Sequence, residues 1–492
     1  MKKRYYLLAF PFFLTSCVSL DEDPKSNQVS SQFYNNESDA NAAIYATYSA
    51  LINGNDSKTL YNRGIQNGPE VATDDYIGGP LASDVNTQAY AALTHDASNS
   101  RSQALWEDSY NLINKANIAI DNIGKISQGV ISETKREQYI NEAKFLRALS
   151  YFNLVRWFKY VPLILHETTS VSPSSLNVTQ ATEDEVYEQI IKDLKDAEAL
   201  PSPQEQTSSD LGRATSGSAK AILTKVYLTR QQWQLAADKA KEIIDSNWYD
   251  LFENFEDVFN VETKNGKEHI FSIQFKGNSG LVSHHMARSA APLSSMVPGI
   301  GGSYADAYNP KSDLYESYSI TDKRRDISLA TTFVSPSNGQ TYTLDEPLFN
   351  KYYDISVPGS QINSSKNIPV IRYAEILLIY AEALNELNGP TSTAYDYIDK
   401  VRKRAGISLL KDKAPNLSKE DFRDSIFQER RKEFVFEFNR WFDLSRRGAD
   451  YYIAMLKKAG KLNVKPKHIH LPIPQREIDI NPNLKQNPDW EN

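Results

Sequence analysis

The chain has 492 residues, 40% of them apolar and 24% charged, with a formal net charge of −7. This is the composition of a folded protein rather than a disordered one, and its acidic balance lacks the basic footprint that a nucleic-acid binder needs. A single cysteine excludes an intramolecular disulfide and a cysteine zinc site, while 28 Tyr and 20 Phe make the chain rich in rings.

Met1–Arg4 is basic, and Tyr5–Leu14 is apolar but too short to span a bilayer. Leu14-Thr15-Ser16-Cys17 follows. Residues 1–16 therefore read as a signal peptide. Its end resembles a bacterial lipobox, which implies cleavage before Cys17 and lipidation of that thiol. The acidic run Leu20-Asp21-Glu22-Asp23 resembles the export signal of surface lipoproteins, and a solvated linker is the competing reading. Residues 17–35 read as a lipidated tether.

Ser38–Asn53 reads as a helix capped by Ser38, with Ile44, Tyr48 and Leu51 on one side. Asn53–Arg101 breaks that pattern with Gly, Asn, Asp and Ser, and a loop this long in a compact domain is usually functional. Gln103–Ile123 is helical again and ends at Gly124. Thr134 with Glu137 forms a capping-box pattern for a helix running to about Tyr160, and Thr182 with Glu185 opens another over Glu183–Leu200. Ala219, Ile222, Leu223 and Val226 form one stripe, and Trp233, Ala236, Ala237, Ala240 and Ile244 the next. Residues 250–366 change character, with strand-like runs at His269–Phe275 and Thr341–Leu344 between Gly-, Ser- and Pro-rich loops.

Asn367–Gly406 reads as a second hairpin of helices. Pro369 suits a first helical turn. Ala374, Leu377, Leu378, Ala381 and Leu384 share a face, Gly389-Pro390 stops the helix, and Thr393 with Asp396 resembles a cap. Ala394, Ile398, Val401 and Ala405 form the returning stripe. Such pairs, with small residues at packing positions, resemble tetratricopeptide repeats and must stack on others. Phe145–Leu200 reads as a third pair and Ser38–Ile123 as a fourth. Ser418 with Asp421 opens a last helix to about Arg446, with an aromatic face of Phe427, Phe434, Val435, Phe438, Trp441 and Phe442. The pairs Arg430–Glu433, Glu437–Arg440, Arg440–Asp443 and Asp443–Arg447 are expected on its other side. The predicted fold is mostly α: tetratricopeptide-like helical repeats over 36–249 and 367–492, and a loop-rich insertion with a few short strands over 250–366.

The chain resembles the SusD/RagB family of outer-membrane lipoproteins. The resemblance rests on Trp106-Glu-Asp-Ser-Tyr110, Glu142-Ala-Lys-Phe-Leu-Arg147, Val161-Pro162-Leu163, Arg372-Tyr-Ala-Glu-Ile-Leu-Leu378, Arg404-Ala405-Gly406, Glu429-Arg-Arg-Lys-Glu433, Arg440-Trp-Phe-Asp-Leu444, Pro472-Ile-Pro474 and Asn481-Pro482-Asn483-Leu484. It implies a SusD-like fold, no enzymatic activity, and a surface-exposed, lipid-anchored protein of the cell outer membrane. As its partners it implies a SusC-like TonB-dependent transporter and a nutrient, usually an oligosaccharide and sometimes a peptide. No cofactor is expected.

Sugar recognition needs flat ring faces and rigid acceptors for hydroxyls. Asn53, Asn55, Asp56, Asp74, Asp75, Tyr76 and Tyr90 supply both in the long loop segment, with Tyr304 and Tyr308 from the loop-rich region. Ordinary turn chemistry is the competing reading for each residue singly. Arg372 is a further candidate, although a structural ion pair at the start of a core helix is its simpler role. Trp106 is expected in the core. Adjacent His284 and His285 point apart on a strand, and His468 with His470 lacks a third ligand, so neither pair makes a metal site. A second class of function is an all-α glycoside hydrolase, which would need two carboxylates about 5–10 Å apart in a cleft. A third is a repeat scaffold that binds no ligand.

Overall fold

The structure, a computed structural model, describes residues 33–52, 60–62, 64–277, 286–354 and 364–491. The signal peptide, Cys17, most of the tether, Asn53, Asn55, Asp56, His284 and His285 lie outside the described residues.

Helix α1 (Glu37–Ser49) is capped by Asn36, whose side chain accepts from Asp39 N, so the cap lies two residues before Ser38. A short strand, β1 (Tyr76–Gly78), and helix α2 (Val85–Ala91) follow within the segment expected to be a loop. Helix α3 (Ser100–Ile123) carries Trp106 inward, as expected. Helix α4 (Glu133–Phe158) is capped by Ser132 rather than Thr134. Helix α5 (Glu183–Ala197) has the expected reciprocal box: Glu185 N donates to Thr182 Oγ1 at 3.3 Å and Thr182 N to Glu185 Oε2 at 2.8 Å. Helices α6 (Ser216–Thr229) and α7 (Trp233–Asp245) form the predicted hairpin.

In the loop-rich region, β2 (His269–Ile273), β3 (Asp306–Tyr308), β4 (Leu329–Val334) and β5 (Thr341–Phe349) are the principal strands. Strand β6 (Ile368–Arg372) occupies the place expected for a first helical turn. It pairs antiparallel with β2, His269 opposite Arg372 and Ser272 opposite Pro369, with irregular register between them. Pro is tolerated there because a two-stranded, irregular ladder does not need every N–H. Helix α8 (Tyr373–Asn388) ends at Gly389, whose φ of 78° is one a glycine takes freely. Helix α9 (Ser392–Arg404) is capped by Thr391, not Thr393.

The last long helix is broken. Helix α10 (Lys419–Phe434) stops, Phe436 and Phe438 take φ of 63° and 61°, and α11 (Arg440–Ser445) and α12 (Ala449–Lys458) follow. Helices α3, α4 and α5 pack in succession, as do α6, α7, α8 and α9, and α10 lies on α8. One hydrophobic core runs through these elements. A smaller cluster around Ile300, Tyr304, Phe333 and Leu348 sits beneath β4 and β5. Among the described residues, no helix is long and apolar enough to cross a membrane.

Candidate functional site

The two segments singled out for ligand recognition meet in a two-stranded sheet. Strands β1 and β3 pair antiparallel, Tyr76 opposite Tyr308 and Gly78 opposite Asp306. Gly79 extends the ladder by donating to Ala305 O at 2.8 Å. A Cβ at Gly79 would lie 2.1 Å from Tyr304 O, so only glycine permits this approach. Past Gly79 the chain turns into α2, and the turn forms one wall of a cavity of about 300 Å³. Asn67, Asp84, Thr87, Arg101, Ser289 and Asp306 line it, with Leu81 and Val85 exposed in the same turn and first helical residue.

Asp84 is the organising group. Its Oδ1 caps α2 by accepting from Asn86 N, and its Oδ2 accepts from Thr87 Oγ1 and from Arg101 Nε, each at 2.7 Å. Partial burial works against the charge, but the hydrogen bonds from Thr87 and Arg101 prevail and hold the carboxyl at about 2. It is therefore an anion at neutral pH. With its side chain 33% exposed, it still offers lone pairs to a ligand. Asn67 Oδ1 is buried and has no hydrogen-bond partner. An unsatisfied buried amide oxygen carries a penalty that a donor hydroxyl would remove. Ser289 Oγ accepts from Gln66 Nε2 at 3.3 Å and donates to Met286 O at 3.2 Å. The wall thus offers an anionic acceptor, a neutral acceptor, hydroxyls and a guanidinium. No aromatic ring lines it among the described residues.

The aromatic and acidic candidates read from sequence face inward instead. Asp74 is paired to Arg440, Oδ1 to Nε at 2.9 Å and Oδ2 to Nη2 at 2.6 Å. Burial would raise its carboxyl, but Arg440 and Arg431 hold it well below the usual carboxylate range. Asp75 accepts from Arg431 Nη2 and from Ser312 Oγ, each at 2.5 Å. The Tyr76 ring stacks on Phe349 with centroids 4.3 Å apart, and Tyr90 stacks on His95 at 4.2 Å while its hydroxyl meets Ser102 Oγ at 2.5 Å. Tyr304, at φ 41°, turns its ring into the small core, and Tyr308 donates to Ser312 O at 2.8 Å. Arg372 is engaged by Glu268, Glu433 and Glu437. All seven are buried, so in this structure their side chains offer no platform to a ligand. Asn53, Asn55 and Asp56 lie outside the described residues. What sequence reading missed is Asp84, Thr87 and Arg101. The spacing Asp84-x-x-Thr87 is a readable cap, but its pairing with Arg101, and the placing of Asn67 in the same wall, depend on the fold.

Comparison with known proteins places this architecture. Residues 333–490 match the model described as the SusD family, and residues 20–228 match one described as starch-binding associating with outer membrane. A SusD-like protein, P2, of Formosa agariphila is 30% identical, with 90% of each chain covered. A SusD homolog from Bacteroides thetaiotaomicron has the same fold, with a TM-score of 0.80 at 24% identity over 94% of this chain and 98% of that one. A solved laminarin-binding SusD-like protein has a TM-score of 0.74 at 26% identity, covering 92% of this chain and 100% of its own.

Proposed function

The chain belongs to the SusD family, a family of binding proteins rather than enzymes, and from that premise we propose that it captures an oligosaccharide at the cell surface for a SusC-like TonB-dependent transporter. The observation that carries the ligand class is the polar cavity beside Asp84. A sugar is a cluster of hydroxyls that each donate and accept, and the wall answers with Asp84 and the orphaned Asn67 Oδ1 as acceptors and Arg101 as donor. Leu81 and Ala82 provide apolar contact for ring C–H groups. A net hydrogen bond contributes about 0.5–1.5 kcal/mol, more to a charged group, so several of them reach the roughly −8 kcal/mol of a micromolar ligand. Capture followed by release needs no tighter grip. The laminarin-binding relative makes laminarihexaose a rational first probe.

Calorimetry against a glycan array and laminarihexaose tests the reading. Asp84→Asn keeps the helix cap but removes the charge, and is expected to weaken binding about tenfold or more at unchanged fold. Wild-type affinity in both Asp84→Asn and Asn67→Ala would move recognition off this cavity. For the anchor, Leu14–Cys17 motivates a lipidated Cys17. One acyl chain holds a membrane only marginally, so stable anchoring rests on the several chains of a bacterial lipoprotein. Cys17→Ala is expected to leave the outer-membrane fraction in a strain lacking the transporter; retention there would refute the anchor.

A further inference from the structure

A second cavity, of about 290 Å³, opens where the ends of α4 and α6 meet the start of α5, helix α11 and residues 469–470. Arg156 lies in its wall. Every other arginine with a described side chain has a carboxylate within 4.0 Å, as in Arg147–Asp193, Arg430–Asp443 and Arg446–Glu382; among the described residues Arg156 has none. Its guanidinium is held between two rings, 3.7 Å from the centroid of Phe152 and 3.5 Å from that of Phe442. Nε donates to Phe152 O at 2.9 Å and Nη2 to Asn153 Oδ1 at 2.7 Å. Both faces are therefore covered and one edge is spent. The edge that carries Nη1 is left.

The charges around it leave that edge uncompensated. Glu183 is the carboxylate of the wall, and it turns to Arg230 at 3.5 Å. Arg446 is neutralised by Glu382 and Asp443. Burial pulls the Arg156 guanidinium down to about 10, and the more distant Tyr187, Tyr61, Glu375 and Asp443 do not offset it. Burial and the charge of Lys159 press His470 down to about 4, so it is a neutral partner and not a second cation. A desolvated cation without a partner is costly, and proteins seldom keep one without a use.

We propose that this cavity binds a small molecule through a carboxylate, which Arg156 takes edge-on. A carboxylate is planar and pairs in the guanidinium plane through two parallel hydrogen bonds, the one approach that the rings leave open. The volume suits a molecule the size of one sugar acid. No wall residue is shared with the Asp84 cavity, so the inference stands apart from the oligosaccharide reading.

The test titrates the full-length protein in detergent with D-glucuronate, with D-glucose as the neutral counterpart and with sulfate as a tetrahedral anion. Saturable heat and a raised melting temperature are expected with glucuronate only. Arg156→Met is expected to weaken binding more than tenfold while melting no lower than the parent, because it removes an unpaired buried charge. Arg156→Lys, which keeps the charge without the fork, is expected to bind about tenfold more weakly, and decides the matter if Arg156→Met does not fold. Absence of binding by the parent, equal binding of glucose, equal binding of sulfate, or glucuronate binding that survives both substitutions would each overturn the proposal.

Discussion

Glu70 shows how one side chain can set a pH response. It is 1% exposed, at the foot of β1, and its Oε2 has no hydrogen-bond partner. Burial first, opposed by the backbone N–H groups of Trp441 and Arg440 and aided by the charge of Asp75, pushes its carboxyl up to about 8. The folded protein therefore holds a proton that the unfolded chain releases near pH 4.5. Stability from this group is present below that value and is lost as pH rises toward 8, at about 1.4 kcal/mol per pH unit. Neighbouring Lys461, donating to Val71 O at 2.7 Å, is pressed by burial to about 7 and acts only above that pH. Between pH 5 and 7 Glu70 contributes a falling slope, joined by Asp108, which burial pushes up to about 7, and opposed by His95, His468 and His470, which burial presses down. The difference in unfolding free energy between the parent and Glu70→Gln isolates its share and is expected to change by about 1.4 kcal/mol per pH unit there, as read by urea denaturation at several pH values. An unchanged slope would show Glu70 to be ionised in the folded state.

The break between α10 and α11 is the element-level counterpart. A continuous helix from Ser418 to Arg446 would set the aromatic stripe inward and the charges outward. In the structure Phe436 and Phe438 turn the chain through left-handed backbone, and both sets go inward. Arg430 reaches Asp443 across the break, Nε to Oδ2 at 2.9 Å, in place of the expected Arg430–Glu433 pair within one helix. Left-handed backbone in bulky residues is strained and persists only where packing compels it. Here Phe436 stacks on Phe349 at 4.6 Å and Phe438 packs against Phe436 at 6.2 Å. Phe438→Ala is expected to cost about 3–5 kcal/mol. Unchanged melting would mean that the ring is exposed and the turn set by something else.

At the scale of the whole molecule, buried charge ties the C-terminal helices to the loop-rich region. Arg372 meets Glu268, Glu433 and Glu437; Arg404 meets Glu268 and Glu433; Arg324 meets Asp322, Glu429 and Glu433; and Lys351 meets Glu437. Burial alone would raise Glu433, but Arg404, Arg372 and Arg324 hold it well below the usual range. Its stability is fully present above the unfolded value near pH 4.5 and is lost as pH falls below that. Arg372→Ala leaves these carboxylates without their shared cation and is expected to cost about 3–5 kcal/mol in denaturant melts. A loss under 1 kcal/mol would show water entering in its place.

Local signals in the sequence determined the repeat helices, the Thr182 cap, the Gly389 stop and the burial of Trp106, because period, caps and stops act over a few residues. The family motifs were legible for the same reason, each being a short run fixed by its own helix or turn. Pro369 misled because a short apolar run before a helix has the same pattern in a strand, and only the partner β2 decides between them. The candidate site divided in the same way. That the segments around Tyr76 and Tyr304 are rich in rings and acceptors was readable from composition, and they meet in one sheet. Which of their side chains face the cavity was not, because Asp74 and Asp75 meet Arg440 and Arg431 from more than 350 positions away. Such partners are chosen by the packing of the whole chain, and a buried charge cannot be told from an exposed one until its partner is in place.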